Sequence, residues 1–204
     1  MKVLSLFDGI SCGHIALDRA GIKVERYVAY EIEKSAIKIT QANYPETEQG
    51  GDVFKADFTQ YKGFDLLIGG SPCTNWSIAK AGHGRETTSS GVGWELFSQY
   101  VRAWKESGVP YFLYENNASM SKDIKAAITE AFGVEPLEIN SALVSAQTRK
   151  RLYWTNIPNA TVPTDMGIKL ADIIENGVVD REKSLCLGRR YAGFQGTQSY
   201  LCRR

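Results

Sequence analysis

Hydrophobic and polar positions follow two alternating patterns through most of this chain. Short apolar runs typical of buried strands are KVLSLF (2–7), KVERYVAYE (23–31), FDLLIGG (64–70), VPYFLYEN (109–116), VEPLEIN (134–140) and RLYWTNIP (151–158). Amphipathic stretches typical of helices are CGHIALDRAG (12–21), KSAIKITQANYP (34–45), WELFSQYVRAWKESG (94–108) and SKDIKAAITEAFG (121–133). This alternation predicts an α/β fold with a mostly parallel sheet, in which ligands bind beyond the carboxyl ends of the strands.

Two segments depart from this alternation. Residues 79–93 are rich in Gly, Ser and Thr and include Lys80, His83 and Arg85. A loop of this length inside a compact domain is usually functional or disordered. Residues 156–204 are polar, and the part from 183 onward has five basic residues and no acidic one.

Composition narrows the class of protein. The 204 residues include 24 basic and 23 acidic side chains, which excludes a wholly basic coat protein but allows a local nucleic-acid-binding patch. The four cysteines form no CxxC pair, so neither a disulfide scaffold nor a zinc site is indicated. The apolar start is too short for a signal peptide, and no run reaches the roughly 20 residues of a membrane helix. We therefore expect an intracellular, reduced, single-domain protein.

Polar residues follow the first two predicted strands. FDGISCG (7–13) is a glycine-containing turn without the GxGxxG spacing, and Asp8 would suit a ligand that carries an ammonium group. Glu31 follows the second strand, where nucleotide-binding folds place the acidic residue that accepts ribose hydroxyls. Taken singly, an ordinary βα turn and a surface carboxylate at a helix start explain these residues equally well, and the same holds for Gly51-Asp52-Val53.

Cys73 is the strongest candidate for chemistry, because Gly-Gly-Ser-Pro-Cys comes directly after the most apolar strand. A lone cysteine is more often a small buried hydrophobe, but at the end of a strand it is also a candidate thiolate nucleophile. Glu115 ends another strand and is expected at the same edge of the sheet. Arg149 and Arg151 alternate before LYWTNI and would present two guanidinium groups on one face. Either segment alone could instead form surface ion pairs.

Taken in order, these segments resemble the cytosine-C5 DNA methyltransferase family. Their local sequence is most similar to its de novo branch and to small phage and prokaryotic relatives. The resemblance covers about residues 1–158 and rests on FDGISCG, Glu31, GDV (51–53), GGSPC (69–73), ENN (115–117) and QTRKR (147–151). It implies a Rossmann-like S-adenosylmethionine-dependent methyltransferase sheet. Residues 1–158 would be the catalytic and cofactor-binding domain, and residues 159–204 a short basic remnant of a target-recognition region. It also implies DNA as the partner and a cytoplasmic protein from a prokaryote or phage.

The resemblance assigns roles by position. Cys73 would attack C6 of a flipped-out cytosine, Glu115 would protonate N3, and Arg151 with Arg149 would hold the base, while the loop 79–93 closes over it. S-adenosylmethionine would be the methyl donor. The residues implied to bind it are Phe7, Asp8, Gly9, Ile10, Gly13, Glu31, Ile32, Asp52, Val53 and Pro72.

The chain also departs from the family pattern. Asn117 replaces the valine of the ENV motif, Trp94 replaces an arginine of the de novo branch, and the family's C-terminal motifs are not visible after Pro158. Four hypotheses follow: an active minimal methyltransferase, half of a split enzyme that needs a second chain, a non-catalytic DNA-binding regulator, or a nicotinamide oxidoreductase. The missing GxGxxG disfavours the last. RNA remains an alternative substrate, because one branch of the family modifies transfer RNA.

Overall fold

The computed structural model describes residues 1–77 and 84–186 of the chain. They group into two compact units. The first comprises residues 1–136 and 153–160, and the second comprises residues 137–152 and the chain from Thr161 onward. The functional division predicted at residue 158 stays a prediction. Within the described residues, no helix is long and apolar enough to cross a bilayer.

Among the residues described, seven strands form one sheet in the order β3-β2-β1-β4-β5-β7-β6. The pairings of β1 with β2, β1 with β4, β2 with β3 and β4 with β5 are all parallel. The strands are β1 (Lys2–Leu6), β2 (Arg26–Tyr30), β3 (Glu48–Gln49), β4 (Leu66–Gly69), β5 (Tyr111–Asn117), β6 (Leu137–Asn140) and β7 (Lys150–Thr155). The α/β fold with a mostly parallel sheet is confirmed.

In the described part of the first unit, four α-helices alternate with the strands: α1 (Cys12–Arg19), α2 (Lys34–Asn43), α3 (Val92–Ser107) and α4 (Lys122–Phe132). In α3 the buried residues Phe97, Tyr100 and Ala103 recur at helical spacing and form one apolar face. Phe97 and Tyr100 both contact Tyr114 of β5, with ring centroids 5.3 and 4.9 Å apart. This aromatic packing fixes α3 on the sheet beside the end of β5.

The register of the central strands aligns their carboxyl ends. Leu6 pairs with both Tyr30 and Gly69, and Gly69 pairs with Tyr114, so these four residues form one row across the sheet. The strands β1, β2 and β4 end at this row, whereas β5 continues to Asn117. The residues that follow the row are Phe7, Glu31, Gly70 and Glu115.

The second unit contains β6 and the beginning of β7. Lys183 is half-buried there, and its ammonium group donates hydrogen bonds to the carbonyl oxygens of Ala142, Ser145 and Ile168 at 2.6, 3.2 and 2.5 Å. Lys183, the first of the five basic residues noted from residue 183 onward, therefore stabilises this unit. The remaining basic residues of that segment lie outside the described residues.

Candidate active site

The turn after β1 is held by the carboxylate of Asp8. Its Oδ1 accepts hydrogen bonds from Ser5 Oγ at 2.6 Å and from Tyr27 Oη at 2.7 Å, and its Oδ2 accepts one from Ser11 Oγ. Burial, followed by the charge of Asp8, raises the pKa of Tyr27 far above its ordinary value, so this hydroxyl remains a donor. The sequence suggested that Asp8 faces a ligand ammonium group; in the structure its carboxylate accepts three hydrogen bonds from side chains of β1, β2 and the turn, and its contact with a ligand stays a prediction.

A cavity of about 480 Å³ lies beyond the aligned strand ends. Six of the ten predicted cofactor-binding residues line it, and four further lining residues were not predicted. The predicted lining residues are Phe7, Glu31, Ile32, Asp52, Val53 and Pro72. The additional lining residues are Tyr30, Phe54, Gly70 and Leu96.

The other predicted cofactor-binding residues have different surroundings. Gly9 donates its N–H to Glu31 Oε2 at 2.8 Å, and Ile10 is 44% exposed. A Cβ at Gly13 would lie 2.3 Å from Ile68 Cδ1, so this glycine allows α1 to pack closely against β4. Neither these three residues nor Asp8 is among those that line the cavity, and their part in cofactor binding stays a prediction.

Glu31 anchors the turn after β2 as well as lining the cavity. Its Oε2 accepts the Gly9 N–H, and its Oε1 accepts the N–H groups of Ile32 and Glu33, both at 2.8 Å. A carboxylate offers about four acceptor positions, so these three bonds leave room for one further donor. Glu31 can thus accept one ribose hydroxyl without giving up a backbone hydrogen bond.

The segment that carries Asp52 is held by a helix distant in sequence. Asp52 Oδ1 accepts the N–H of Phe54 at 3.0 Å and begins the one-turn helix Val53–Lys55. Arg102 of α3 donates to the carbonyl oxygens of Val53 and Ala56 at 2.7 and 3.0 Å. The cavity wall is therefore positioned by a guanidinium group that no local sequence pattern pointed to.

Cys73 begins a one-turn helix directly after Pro72, which lines the cavity. Its side chain is partly exposed, and its carbonyl oxygen accepts the N–H groups of Trp76 and Ser77 at 3.0 and 2.9 Å. We call residues 73–77 the nucleophile turn. The fully buried ring of Trp76 fixes it to the protein.

Glu115 lies close to the chain segment that leads to Cys73. A Cβ at Gly70 would lie 2.5 Å from the Glu115 carbonyl oxygen and 3.0 Å from its carboxylate Oε2. Only glycine permits this approach without a shift of β5. The structure therefore brings Glu115, Gly70 and the cavity together, as expected from the strand ends.

A buried polar network supports this arrangement. Asn116 Nδ2 donates to the Ser71 carbonyl oxygen at 3.2 Å and to Tyr114 Oη at 2.9 Å, and Ser71 Oγ lies 2.6 Å from Tyr114 Oη. Burial raises the pKa of Tyr114 well above its ordinary value, so its hydroxyl stays protonated. Asn117, which replaces the family's valine, donates its N–H to Asn116 Oδ1 at 2.8 Å. The sequence analysis did not identify this network.

Arg149 and Arg151 belong to the second unit. Arg149 is exposed, precedes β7 and donates to Cys186 Sγ at 3.0 Å, while Arg151 lies within β7 and donates to the Lys150 carbonyl oxygen at 2.8 Å. Their part in base binding stays a prediction. Of the long loop, residues 84–93 are described, whereas Lys80 and His83 lie outside the described residues.

A family model described as C-5 cytosine-specific DNA methylase matches residues 1–163. The chain belongs to this family. An orphan methyltransferase of Bacillus phage SPR, M.SPRI, is 33% identical over 192 residues, which are 87% of this chain and 43% of that protein. A type II methyltransferase of Neisseria gonorrhoeae, M.NgoBV, is 27% identical over 87% of this chain and 47% of its own length. The chain thus spans less than half the length of these relatives.

Two solved structures show which known fold this chain adopts. A mutant of Spodoptera frugiperda DNMT2 aligns with a TM-score of 0.68 and 19% identity over 93% of this chain and 70% of that one. A putative DNA modification methyltransferase encoded within an Escherichia coli prophage aligns with a TM-score of 0.59 and 22% identity over 76% and 46% of the two chains. The predicted Rossmann-like methyltransferase fold is confirmed. The comparisons give no support to the second chain of the split-enzyme hypothesis.

Proposed function

We propose that this chain transfers a methyl group from S-adenosylmethionine to C5 of cytosine in DNA. The proposal rests on the segment after β4, which forms part of the cavity wall and also adjoins Cys73 and Glu115. Gly70 and Pro72 line the cavity, Gly70 packs against Glu115, and Pro72 directly precedes Cys73. The short segment after β4 therefore carries the thiol, lines the proposed methyl-donor cavity and packs against Glu115 of β5.

The cavity lining suits the proposed methyl donor. Phe7, Ile32, Phe54 and Leu96 provide apolar walls for an adenine ring, and Glu31 retains acceptor capacity for one ribose hydroxyl. S-adenosylmethionine supplies a methyl group activated by a positively charged sulfur. Glu31 and Asp52 give the cavity an acidic character, which favours a cationic ligand.

The reaction requires C5 of cytosine to become nucleophilic. The Cys73 thiolate adds to C6 while the carboxyl group of Glu115 gives a proton to N3, so the ring becomes an enamine whose C5 accepts the methyl group. The methyl transfer breaks the bond between that group and the donor sulfur, which leaves as S-adenosylhomocysteine. Loss of the C5 proton to a base then restores the C5–C6 double bond and releases the Cys73 thiolate, and N3 returns its proton to Glu115. A cytosine stacked in a duplex cannot reach Cys73, so the base must be flipped out, with Arg149 and Arg151 proposed to hold it.

The test follows labelled S-adenosylmethionine and unmethylated duplex DNA with the full chain, Cys73→Ser and, as a control, Cys12→Ser at an exposed cysteine of α1. We expect transfer to cytosine C5 that disappears in Cys73→Ser and persists in Cys12→Ser. A duplex with 5-fluorocytosine, which has no C5 proton to lose, should remain covalently attached to Cys73.

The alternatives predict different results. Transfer that survives Cys73→Ser would contradict the covalent mechanism. Salt-sensitive DNA binding without any transfer would favour the regulatory homologue. Transfer to a transfer-RNA transcript in preference to DNA would identify RNA as the substrate.

A further inference from the structure

Arg85 connects the two segments that carry the proposed catalytic groups. Its Nε donates to the carbonyl oxygen of Trp76 at 3.1 Å, at the end of the nucleophile turn. Its Nη2 donates to the carbonyl oxygen of Ser119, in the turn that follows β5. One half-buried guanidinium group therefore spans from the Cys73 segment to the Glu115 segment.

The residues next to Arg85 reinforce this connection. We call residues 85–88 the strap. The Glu86 N–H donates to the carbonyl oxygen of Asn75 at 2.8 Å, and Glu86 Oε2 accepts the N–H of Gly93 in the first turn of α3 at 3.0 Å. Ser121 Oγ donates to the Thr87 carbonyl oxygen at 2.6 Å. The strap is thus fixed to the nucleophile turn, to α3 and to the turn after β5.

Hydrogen bonds continue from the far end of Arg85 back towards Cys73. Asn117 Oδ1 accepts the Ser119 N–H at 3.0 Å, and Asn116 Oδ1 accepts the N–H of Asn117. Asn116 in turn donates to the carbonyl oxygen of Ser71, two residues before Cys73. Arg85 therefore holds the end of the nucleophile turn, and Asn116 holds Ser71, just before its beginning.

These contacts argue against a phosphate-binding role for Arg85. A planar guanidinium group donates in fixed directions, and the bonds from Nε and Nη2 are both directed at backbone carbonyl oxygens of the protein. A lysine at this position would have a single ammonium nitrogen in place of the separate Nε and Nη2 that make these two bonds. The directions of the two bonds therefore fit a role in which Arg85 links the nucleophile turn to the turn after β5.

We propose that Arg85 is a positioning residue that holds the nucleophile turn in place relative to the Glu115 end of β5. Its consequence for turnover rests on the proposed function, in which Cys73 and Glu115 act on the same base. A displacement of about 1 Å between reacting groups can cost two orders of magnitude in rate. Arg85 would therefore affect turnover without touching either substrate.

The first arm of the test is amide hydrogen exchange in the full-length wild type, Arg85→Ala, Arg85→Lys and the control Arg26→Ala. Arg26 also loses a guanidinium group, but its ion pair with Glu48 is exposed and lies at β2 and β3. In Arg85→Ala we expect the Trp76 and Ser77 amides to exchange about tenfold faster, the factor expected for one lost charge-assisted hydrogen bond. Amides of β1 and β4 should be unchanged in every variant, which shows that the fold is intact.

The second arm measures methyl transfer. We expect kcat to fall at least about tenfold in Arg85→Ala and less in Arg85→Lys, with the KM for S-adenosylmethionine unchanged. The KM should not change because no residue contacted by the strap lines the cavity. Unchanged exchange at Trp76 and Ser77, or an Arg85→Lys variant equal to wild type in both arms, would overturn the bridging role. A wild type without transfer would contradict the proposed function, while the exchange arm would still decide the role of Arg85.

Discussion

Gly70 shows at the scale of one residue how packing and chemistry depend on each other. An added methyl group would lie 2.5 Å from the carbonyl oxygen of Glu115, which cannot move without displacing β5, and would also crowd the Glu115 carboxylate. We expect Gly70→Ala to reduce kcat at least tenfold and to lower the free energy of unfolding by about 2 kcal/mol. Steady-state kinetics and urea unfolding measure the two effects.

The matched control for this substitution is Gly108→Ala. Gly108 follows α3, has a φ of +64° and has open space where the Cβ would lie. In Gly108→Ala, backbone strain alone should lower the free energy of unfolding by about 1 kcal/mol, and kcat should not change. If both variants lost stability but kept the same kcat, close packing of Gly70 would have no role in placing Glu115.

Individual site residues could be predicted where a local pattern marks them. Glu31 and Cys73 follow apolar strands, and the register of those strands then aligns them at one edge. Leu96 and Arg102 gave no such signal, because they reach the site from α3 through tertiary packing. The bonds that Ser5, Ser11 and Tyr27 donate to Asp8 were also not predictable, because they join residues of two strands and a turn.

Ser121 links two elements through one hydroxyl group. It begins α4 by accepting the N–H of Ile124 at 3.3 Å, and it donates to the Thr87 carbonyl oxygen of the strap. We expect Ser121→Ala to lower the free energy of unfolding by about 1 kcal/mol, since the helix loses its cap. Ser121→Asp should restore most of this loss because aspartate also caps helices. However, it cannot donate to Thr87, so faster amide exchange in the strap should remain.

Urea unfolding of the two variants separates these contributions. Equal midpoints for Ser121→Ala and Ser121→Asp would show that the cap contributes nothing, contrary to the prediction. Strap amides that exchange at the wild-type rate in both variants would show that the bond to Thr87 is dispensable.

At the scale of elements, apolar periodicity predicted all four helices to within about two residues at each end. It missed β3, because Glu48 and Gln49 are exposed polar residues without any apolar alternation. Their pairing with Val28 and Ala29 of β2 alone makes them a strand. Short edge strands of this kind depend on a neighbour that the local sequence does not reveal.

Because the protein contains several buried tyrosines, its stability should depend on pH in the alkaline range. Burial is the main cause that raises the pKa values of Tyr27, Tyr30, Tyr100 and Tyr114 above the ordinary value of about 10. Their stabilising contribution is complete below the pKa of the unfolded chain. It is lost as the pH rises above about 10, since the unfolded state then releases protons that the folded state retains. The protein should therefore unfold in alkali.

Tyr100→Phe tests this linkage directly. The Tyr100 hydroxyl donates to the carbonyl oxygens of Leu67 and Leu113 at 3.1 and 2.9 Å, so its removal should lower the free energy of unfolding at neutral pH. Above about pH 10 the variant should lose stability less steeply than wild type, by up to about 1.4 kcal/mol per pH unit, because one fewer tyrosine ionises on unfolding.

Phe112→Leu, a buried substitution without a titrating group, should lower stability equally at every pH. Urea unfolding at a series of pH values measures these slopes, and parallel curves for wild type and Tyr100→Phe would contradict the linkage.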